Sequence, residues 1–588
     1  MKSFLKFTLA SILGVMLSGF LLFLILIGII AAASSEKPVM VEPHTVLLAN
    51  FDVQIIDRDP ENPYSSLDFM NLAGIEKMGL NKILDNIEKA STDANIDGIF
   101  MDLTTISAGT ASIQEIRNAL IKYKESGKFL IAHADYYTQG TYYLASVADS
   151  IYLTPTGELA WLGLSAEPMF FKKALDKLGI DVQIIRAGEY KSAAEMFMYE
   201  SLSKENREQI SDYTSSIWET LVNDIAVSRK MDAAELNKLA DNMTITNAEA
   251  ALEYKMVDGL KYFDEILSGL KTMTSTDQRK DLKAISMKKY IKVPKTRDAK
   301  KGLVKDKIAV IYTGGTIVTG EGTQDNMGSD RIAKVIREAR RDSSIKAIVL
   351  RVNSGGGSAL ASEIIWREVK LASETKPLIA SIGDVAASGG YYIVAPARKI
   401  IASQNSITGS IGVFGMLPNV KDFMSDKLGI TTDVVKTNEH SDLGSLFRPL
   451  DEDEFAVIQR EVMNTYKTFI GRVADGRKLS IEQVDKIARG HVYTASDAKE
   501  IGLIDEFGGL KKAIEIAASE ANLTDFRAVE YPKQEAPLDV FIRQMTEDAR
   551  IKMIYKDLGV DYKYYKQLQT VKSLSGIQAI MPYEIDVY

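Results

Sequence analysis

Asp384-Val385-Ala386-Ala387-Ser388-Gly389-Gly390-Tyr391-Tyr392 is the stretch whose reading decides the fold. A strand-like run precedes it, Pro377 to Ile382 (PLIASI), and a helix-like run follows, Tyr391 to Ala395 (YYIVA). Strand, small-residue turn, helix is the repeating unit of a parallel α/β sheet. Gly389 and Gly390 leave open the unusual backbone angles of a tight strand-to-helix turn. Small neighbours let a second backbone approach the Ser388 hydroxyl. The Gly389 N–H would then face outward at a helix start, where developing negative charge is stabilised. That is one way to present a nucleophilic serine. On this window alone, an Ala/Ser/Gly helix start packed against a sheet accounts for the residues as well.

Working outward, the same unit occurs twice. Ile96 to Leu103 (IDGIFMDL) matches Ile345 to Val352 (IKAIVLRV), and Gln139 to Tyr143 (QGTYY) matches Ser388 to Tyr392 (SGGYY). Asp176 to Ile180 (DKLGI) matches Asp426 to Ile430, and Ala251 to Asp258 (ALEYKMVD) matches Ala498 to Asp505 (AKEIGLID). Four matches in order, at offsets between 247 and 250, indicate an internal duplication. Each copy is about 220 residues, long enough for its own core. The expected fold is two tandem α/β repeats with parallel sheets and crossover helices, residues 41–285 and 307–525.

Composition narrows the chemistry. The 588-residue chain has a net charge of -8, no cysteine and four histidines, His44, His133, His440 and His491. The modest negative charge argues against a nucleic-acid binder. Lack of cysteine removes disulfides, thiolate catalysis and thiolate metal sites. No histidine pair has ligand spacing, so neither metal nor cofactor is expected.

The flanks differ from the repeats. Phe7 to Ala33 is a 27-residue run without charge, preceded by Lys2 and Lys6. At 1.5 Å per residue a helix of that length crosses a core of about 30 Å. The run is longer than the apolar region of a signal peptide, so residues 1–40 are expected to be an uncleaved signal anchor. The flanking lysines place the body on the extracytoplasmic side. Met287 to Lys307 carries nine Lys/Arg against two Asp and reads as a solvated linker, 286–306. Residues 526–588 form a tail with an amphipathic helical stretch and an apolar-aromatic end, expected to pack on the body or on a neighbouring subunit.

The two copies diverge where chemistry would sit. Gln139 stands opposite Ser388, and glutamine is no nucleophile. Serine needs a base. In the first copy Lys191 lies just past the strand Val182 to Ile185, within RAGEYKSAAEMF; the matching stretch of the second copy reads KTNEHSDLGSLF, with Ser441 in its place. One copy therefore has the lysine without the serine, and the other the serine without that lysine. Packed face to face, they would complete one Ser–Lys pair. A free lysine is protonated at neutral pH, so the role requires burial among apolar groups. It also requires that Glu189 and Glu195 point elsewhere. Asn353 to Ser358 (NSGGGS) is a glycine-rich strand-to-helix turn with backbone donors for an anion, Gly356 or Gly357 together with Gly389. Such a turn also suits phosphate, but no GxGxxG or GKS/T motif accompanies it. In the next turn, Ser406 to Gly415 (SITGSIGVFG), Ser410 could hold a lysine amine.

Together, Ser388 in DVAASGGYY, the NSGGGS and SITGSIGVFG turns, Lys191 in GEYKSA and the N-terminal apolar run resemble the long, tandem-repeat form of the signal peptide peptidase A (protease IV) family, within the Clp protease/crotonase superfamily. The likeness runs to about residue 525. It implies a membrane-anchored serine endopeptidase with a Ser/Lys dyad that cleaves remnant signal peptides and other apolar peptides. It also implies a homotetramer, with Ser388 as nucleophile, Lys191 as general base, Gly357 and Gly389 as oxyanion donors and Ser410 orienting the lysine. Gly355 stands where the family has a proline. A catalytically silent membrane scaffold of the same fold and a crotonase-like acyl-CoA enzyme are the alternatives, the second disfavoured by an extracytoplasmic body.

Overall fold

The run Ile345–Ser354 is apolar on both faces, and such a strand is stable only between two covering layers. In the computed structural model it is central in a sheet ordered Val492–Thr494, Ile407–Gly409, Leu378–Ala387, Ile345–Ser354, Lys307–Gly314 and Arg527–Tyr531. The first pair is antiparallel and the others are parallel. A second sheet belongs to the first copy, ordered Gly259–Leu260, Ser150–Leu159, Phe129–Tyr137, Ile96–Asp102, Thr45–Leu48 and Ala284–Ser286, all parallel. The structure describes residues 4, 6–8, 10–21, 39–59, 77–294, 304–323, 326–533 and 577–581.

Amphipathic helices cover both sheets. Ser329–Arg341 buries Ile332, Val335, Ile336 and Ala339, the spacing of one helical face, and turns its arginines outward. Ala359–Thr375 starts at Ser358, whose hydroxyl accepts the Ala361 N–H. The duplication also shows in matched long-range contacts. Tyr142 donates its hydroxyl to the Met256 carbonyl at 2.8 Å, and Tyr391 donates to the Leu503 carbonyl at 2.8 Å. Asp258 accepts the Ile151 N–H and pairs with Arg229; Asp505 accepts the Ile400 N–H and pairs with Arg477.

A third sheet draws strands from both copies. Its order is Asn326–Gly328, Thr316–Val318, Gly356–Ser358, Ile577–Ile580, Val413–Asn419 and Asp181–Ala187. Seven residue pairs join Val413–Asn419 antiparallel to Asp181–Ala187, from Val413 opposite Ala187 to Asn419 opposite Asp181. This seam brings Lys191, four residues beyond Ala187, to the second copy.

Three expectations meet the structure differently. The basic stretch is not solvated throughout. Met287–Tyr290 is a short helix whose Met287 and Tyr290 side chains are buried. Asn86 donates to the Met287 carbonyl and Tyr290 pairs with Asp93, docking the segment on the helix Leu80–Thr92. Of the tail, Arg527–Tyr531 is the edge strand beside Lys307–Gly314 in the second copy's sheet, and Ile577–Ile580 enters the composite sheet. The amphipathic stretch expected in the tail lies outside the described residues. Of the expected anchor, residues 10–21 are helical with their large apolar side chains exposed, and its remainder, 22–33, also lies outside the described residues. No helix among the described residues is long and apolar enough to cross a membrane.

Candidate active site

Ser388 closes the strand Leu378–Ala387 and caps the six-residue helix Gly389–Val394. Its φ of 55° and ψ of -116° lie where a non-glycine residue is strained, at a cost of order 1–3 kcal/mol. Neighbouring turns hold it there. The Ser388 N–H donates to the Gly409 carbonyl at 2.8 Å, and the Tyr392 N–H to the Ser388 carbonyl at 2.8 Å. Gly390 is required, because a Cβ there would collide with the Ser354 carbonyl.

The amine of Lys191 is 2.7 Å from the Ser388 hydroxyl oxygen. It donates to the Ser410 carbonyl at 3.0 Å and lies 2.9 Å from the Ser410 hydroxyl. Lys191, Ser388 and Ser410 are all fully buried. A neutral amine has two N–H groups and one lone pair. With the first two on Ser410, the neutral form would turn its lone pair to the Ser388 O–H, whereas the charged form donates to the Ser388 oxygen. Burial alone holds the Lys191 amine well below its ordinary pKa of 10.5. The two flanking carboxylates are engaged elsewhere. Glu189 pairs with Arg489 at 3.0 Å, while Glu195 pairs with Arg186 and accepts from Ser203 and Asn206.

The glycine turn lies beside Ser388. Ser354 donates its hydroxyl to the Gly315 carbonyl and accepts the Gly356 N–H at 3.1 Å. The Gly356 donor is therefore already used, whereas the sequence left Gly356 and Gly357 equivalent. Gly356 and Gly357 have φ of 104° and 156°, and a Cβ on Gly356 would come within 2.8 Å of the Gly389 nitrogen. The turn and the start of the helix Gly389–Val394 thus converge. Gly355 is outside the positive-φ region and has open space where a side chain would go, the nearest atom being 3.6 Å away on Met581.

Several participants have no local motif. Gly490 packs on Lys191 so closely that a Cβ would strike the lysine backbone, and its N–H donates to the Ile411 carbonyl. The register of the last repeat match sets Gly490 opposite Met243, and this replacement was the available signal. The Gly412 carbonyl lies 3.4 Å from the Ser388 hydroxyl. The His491 carbonyl accepts the Ser410 N–H, while its ring packs between Tyr190 and Tyr493. Gln139, at the position matching Ser388, has its amide oxygen accepting from the Leu162 and Gly163 N–H groups. Among the described residues, His440, Asp451 and Glu454 gather possible metal-ligand atoms. Arg448 already takes both Glu454 oxygens at 2.6 Å, so this cluster is an ion-pair network.

A strained, buried serine beside an amine whose pKa burial lowers suits nucleophilic attack on an acyl carbon. The comparisons agree. The sequence profile of peptidase family S49 matches residues 122–276 and 370–524, one segment in each copy. Protease 4 of Salmonella typhi is 36% identical over 487 residues, 81% of this chain and 77% of that protein. Protease 4 of Haemophilus influenzae is 36% identical over 536 residues, 88% of this chain and 86% of that one. The chloroplastic serine protease SPPA of Arabidopsis thaliana is 32% identical over 454 residues, 76% of this chain and 66% of that one. Two profile matches in tandem and likeness to two proteases over most of the chain make it a member of peptidase family S49 and a serine peptidase.

Proposed function

We propose that Ser388 and Lys191 form the Ser/Lys dyad of a membrane-anchored endopeptidase that cleaves remnant signal peptides and other apolar peptides on the extracytoplasmic side. The observation that carries this reading is the 2.7 Å approach of the Lys191 amine to the Ser388 hydroxyl, both fully buried. Lys191 removes the Ser388 proton, and Ser388 attacks the scissile carbonyl. The N–H groups of Gly357 and Gly389 stabilise the oxyanion, and Ser410 directs the amine. Lys191 then protonates the leaving amine and activates the water that hydrolyses the acyl-enzyme.

In this reading residues 41–285 supply the lysine and 307–525 the serine. Residues 286–306 connect them, and 526–588 are the tail that follows. The uncharged run Phe7 to Ala33 supports the anchor, with Lys2 and Lys6 on the cytoplasmic side of the inner membrane. Homotetramer assembly rests on the family resemblance. No cofactor, metal or nucleic acid enters the scheme.

The test is cleavage of an apolar signal-like peptide by the purified full chain, with Ser388→Ala and Lys191→Ala, each checked for folding. Both variants are expected to lose activity. Mixing them restores it only if the two side chains meet from different subunits. A fully active Lys191→Ala protein would overturn the dyad.

A further inference from the structure

The lysine loop belongs to one copy and the serine turn to the other, and the buried side chain of Gln209 reaches both. Gln209 lies near the start of the helix Lys204–Arg229 and is 1% exposed. Its amide nitrogen is 3.1 Å from the Tyr190 carbonyl, 2.8 Å from the Ser192 hydroxyl and 3.0 Å from the Asn206 side-chain oxygen. Tyr190 and Ser192 flank Lys191 on either side. The Gln209 amide oxygen accepts the Val492 N–H of the second copy at 3.2 Å.

Val492 stands opposite Gly409 in the second copy's sheet. The Gly409 carbonyl takes the Ser388 N–H, and the carbonyl of His491, next to Val492, takes the Ser410 N–H at 2.6 Å. Ser410 in turn holds the Lys191 amine. The contacts close a circuit from the neighbours of Lys191 through Gln209, Val492, His491 and Ser410 back to the lysine amine. The other copy shows what the position is for. Its helix Glu452–Arg477 also has 26 residues and ends on an arginine paired to the matching aspartate, Arg477 to Asp505 as Arg229 to Asp258. That register sets Gln209 opposite Val457, which is 41% exposed. A buried amide facing an exposed valine inverts the usual pattern, and the amide occurs in the copy that carries the lysine. Its burial is tolerated because both of its polar atoms are engaged.

We propose that Gln209 is a positioning residue for the general base: its amide grips both neighbours of Lys191 and the strand that anchors Ser410 and Ser388, and so fixes the approach of the amine to the hydroxyl. This rests on the Ser388/Lys191 reading and adds a residue to it. Gln209 acts on the base rather than on the bound peptide, so its loss lowers kcat and leaves KM in place. A misplacement of about 1 Å is enough to cost up to about 100-fold. The charged groups around the clamp are engaged: Glu189 with Arg489, Glu195 with Arg186, and Asp212 at 3.9 Å from the His491 ring. Burial alone lowers the lysine pKa, so a loop that admits water lets the amine titrate nearer its ordinary value.

The test uses the full chain with Gln209→Met, which keeps the length of the side chain but offers no amide, and with the milder Ser192→Ala, which removes one partner of that amide. On an apolar signal-like peptide, Gln209→Met is expected to lower kcat by about tenfold or more and to keep KM within about twofold. It should also move the acid limb of the kcat profile up by about one pH unit. Ser192→Ala should move both in the same direction by less. A variant that only loses stability keeps the wild-type limb. Unchanged kcat and limb in the folded variants overturn the proposal, and if Lys191→Ala is still inactive the dyad reading stands. A fully active Lys191→Ala removes the dyad reading and this proposal with it. A second readout needs no activity. The part of the pH dependence of unfolding that Lys191→Met abolishes is expected to shrink in Gln209→Met, because the native lysine there titrates closer to its unfolded value. An undiminished slope overturns the proposal even if no protein cleaves anything. Should Gln209→Met fail to fold, Ser192→Ala decides by the same two readouts.

Discussion

Burying Lys191 with no carboxylate partner makes its charged form costly, and that cost leaves a signature in stability as well as in rate. The unfolded chain holds the lysine proton up to the ordinary pKa of 10.5, whereas the native chain releases it well below that. Between the two values the unfolded state binds the extra proton, so wild-type stability rises with pH across that window. Lys191→Met removes the term. Relative to wild type, its unfolding midpoint is expected to look best near neutral pH and to lose ground as pH approaches 10.5; a pH-independent difference would mean the native lysine is charged. In the proposed dyad the base is the free amine, so peptide cleavage should fall as pH drops through the native pKa, and Lys191→Met should lose about 100-fold or more. The glycine turn gives a second contrast. Gly355→Ala has room and an ordinary φ, so it should stabilise by about 0.4–1 kcal/mol through the unfolded state. Gly356→Ala meets a positive φ and an occupied space, and should destabilise by about 1–2 kcal/mol while reducing cleavage. Denaturant melts of the two variants check both signs.

At the scale of elements, the strand Leu378–Ala387 is fastened to the other copy by Asp384, four residues before Ser388. Its carboxylate accepts the Ser112 N–H at 2.8 Å and lies 2.7 Å from the Ser112 hydroxyl. Burial first, and the Asp57 charge second, raise its pKa. A carboxyl with a raised native pKa stabilises the fold below its unfolded pKa, and that contribution is lost as pH rises through the native value. Asp384→Asn mimics the protonated form, because its amide can accept from the Ser112 N–H and donate to the hydroxyl. The variant should fold normally and show a shallower decline in unfolding midpoint between about pH 4 and pH 8 than wild type; a parallel decline would place the titration elsewhere. Strands such as Ile345–Ser354 were legible because apolar residues on both faces specify a central parallel strand. Lys191 was legible only through its reciprocal absence from the second copy. The role of Asp384 has no local signal, since its partner Ser112 is 272 positions away. In Met287–Tyr290 the lysines mask an apolar pair three residues apart. Ile577–Ile580 is four residues long, and nothing local marks so short a strand or its distant partners.

Across the whole molecule, a buried cation adds to the strand seam in joining the copies. Arg351 pairs with Asp57 at 2.7 Å and with Glu115 at 2.8 Å, both from the first copy, and donates to Ser381 and to the Ile382 carbonyl on the nucleophile strand. Asp57 also accepts from Asn353, whose side-chain oxygen accepts the Val385 N–H. Asp57 and Arg351 thus tie together the strand leading to the glycine turn and the strand leading to Ser388. Burial opposes the Arg351 charge, and Asp57 and Glu115 outweigh it. Removing the cation alone leaves their carboxylates unpaired, so Arg351→Met should cost about 3–5 kcal/mol and most of the peptidase activity. The loss should also acquire a pH dependence. Without Arg351 the native pKa of Glu115, already raised mainly by burial, rises further, so the variant loses stability as pH rises from about 5 to 8. Neutralising the partners together, in Arg351→Met with Asp57→Asn and Glu115→Gln, removes the stranded charges and should recover a substantial part of the lost midpoint and flatten its pH dependence. Melts of the single and triple variants at pH 5 and pH 8 decide the matter: if the triple variant is no more stable than the single one, the copies are held by packing and the buried charges are incidental.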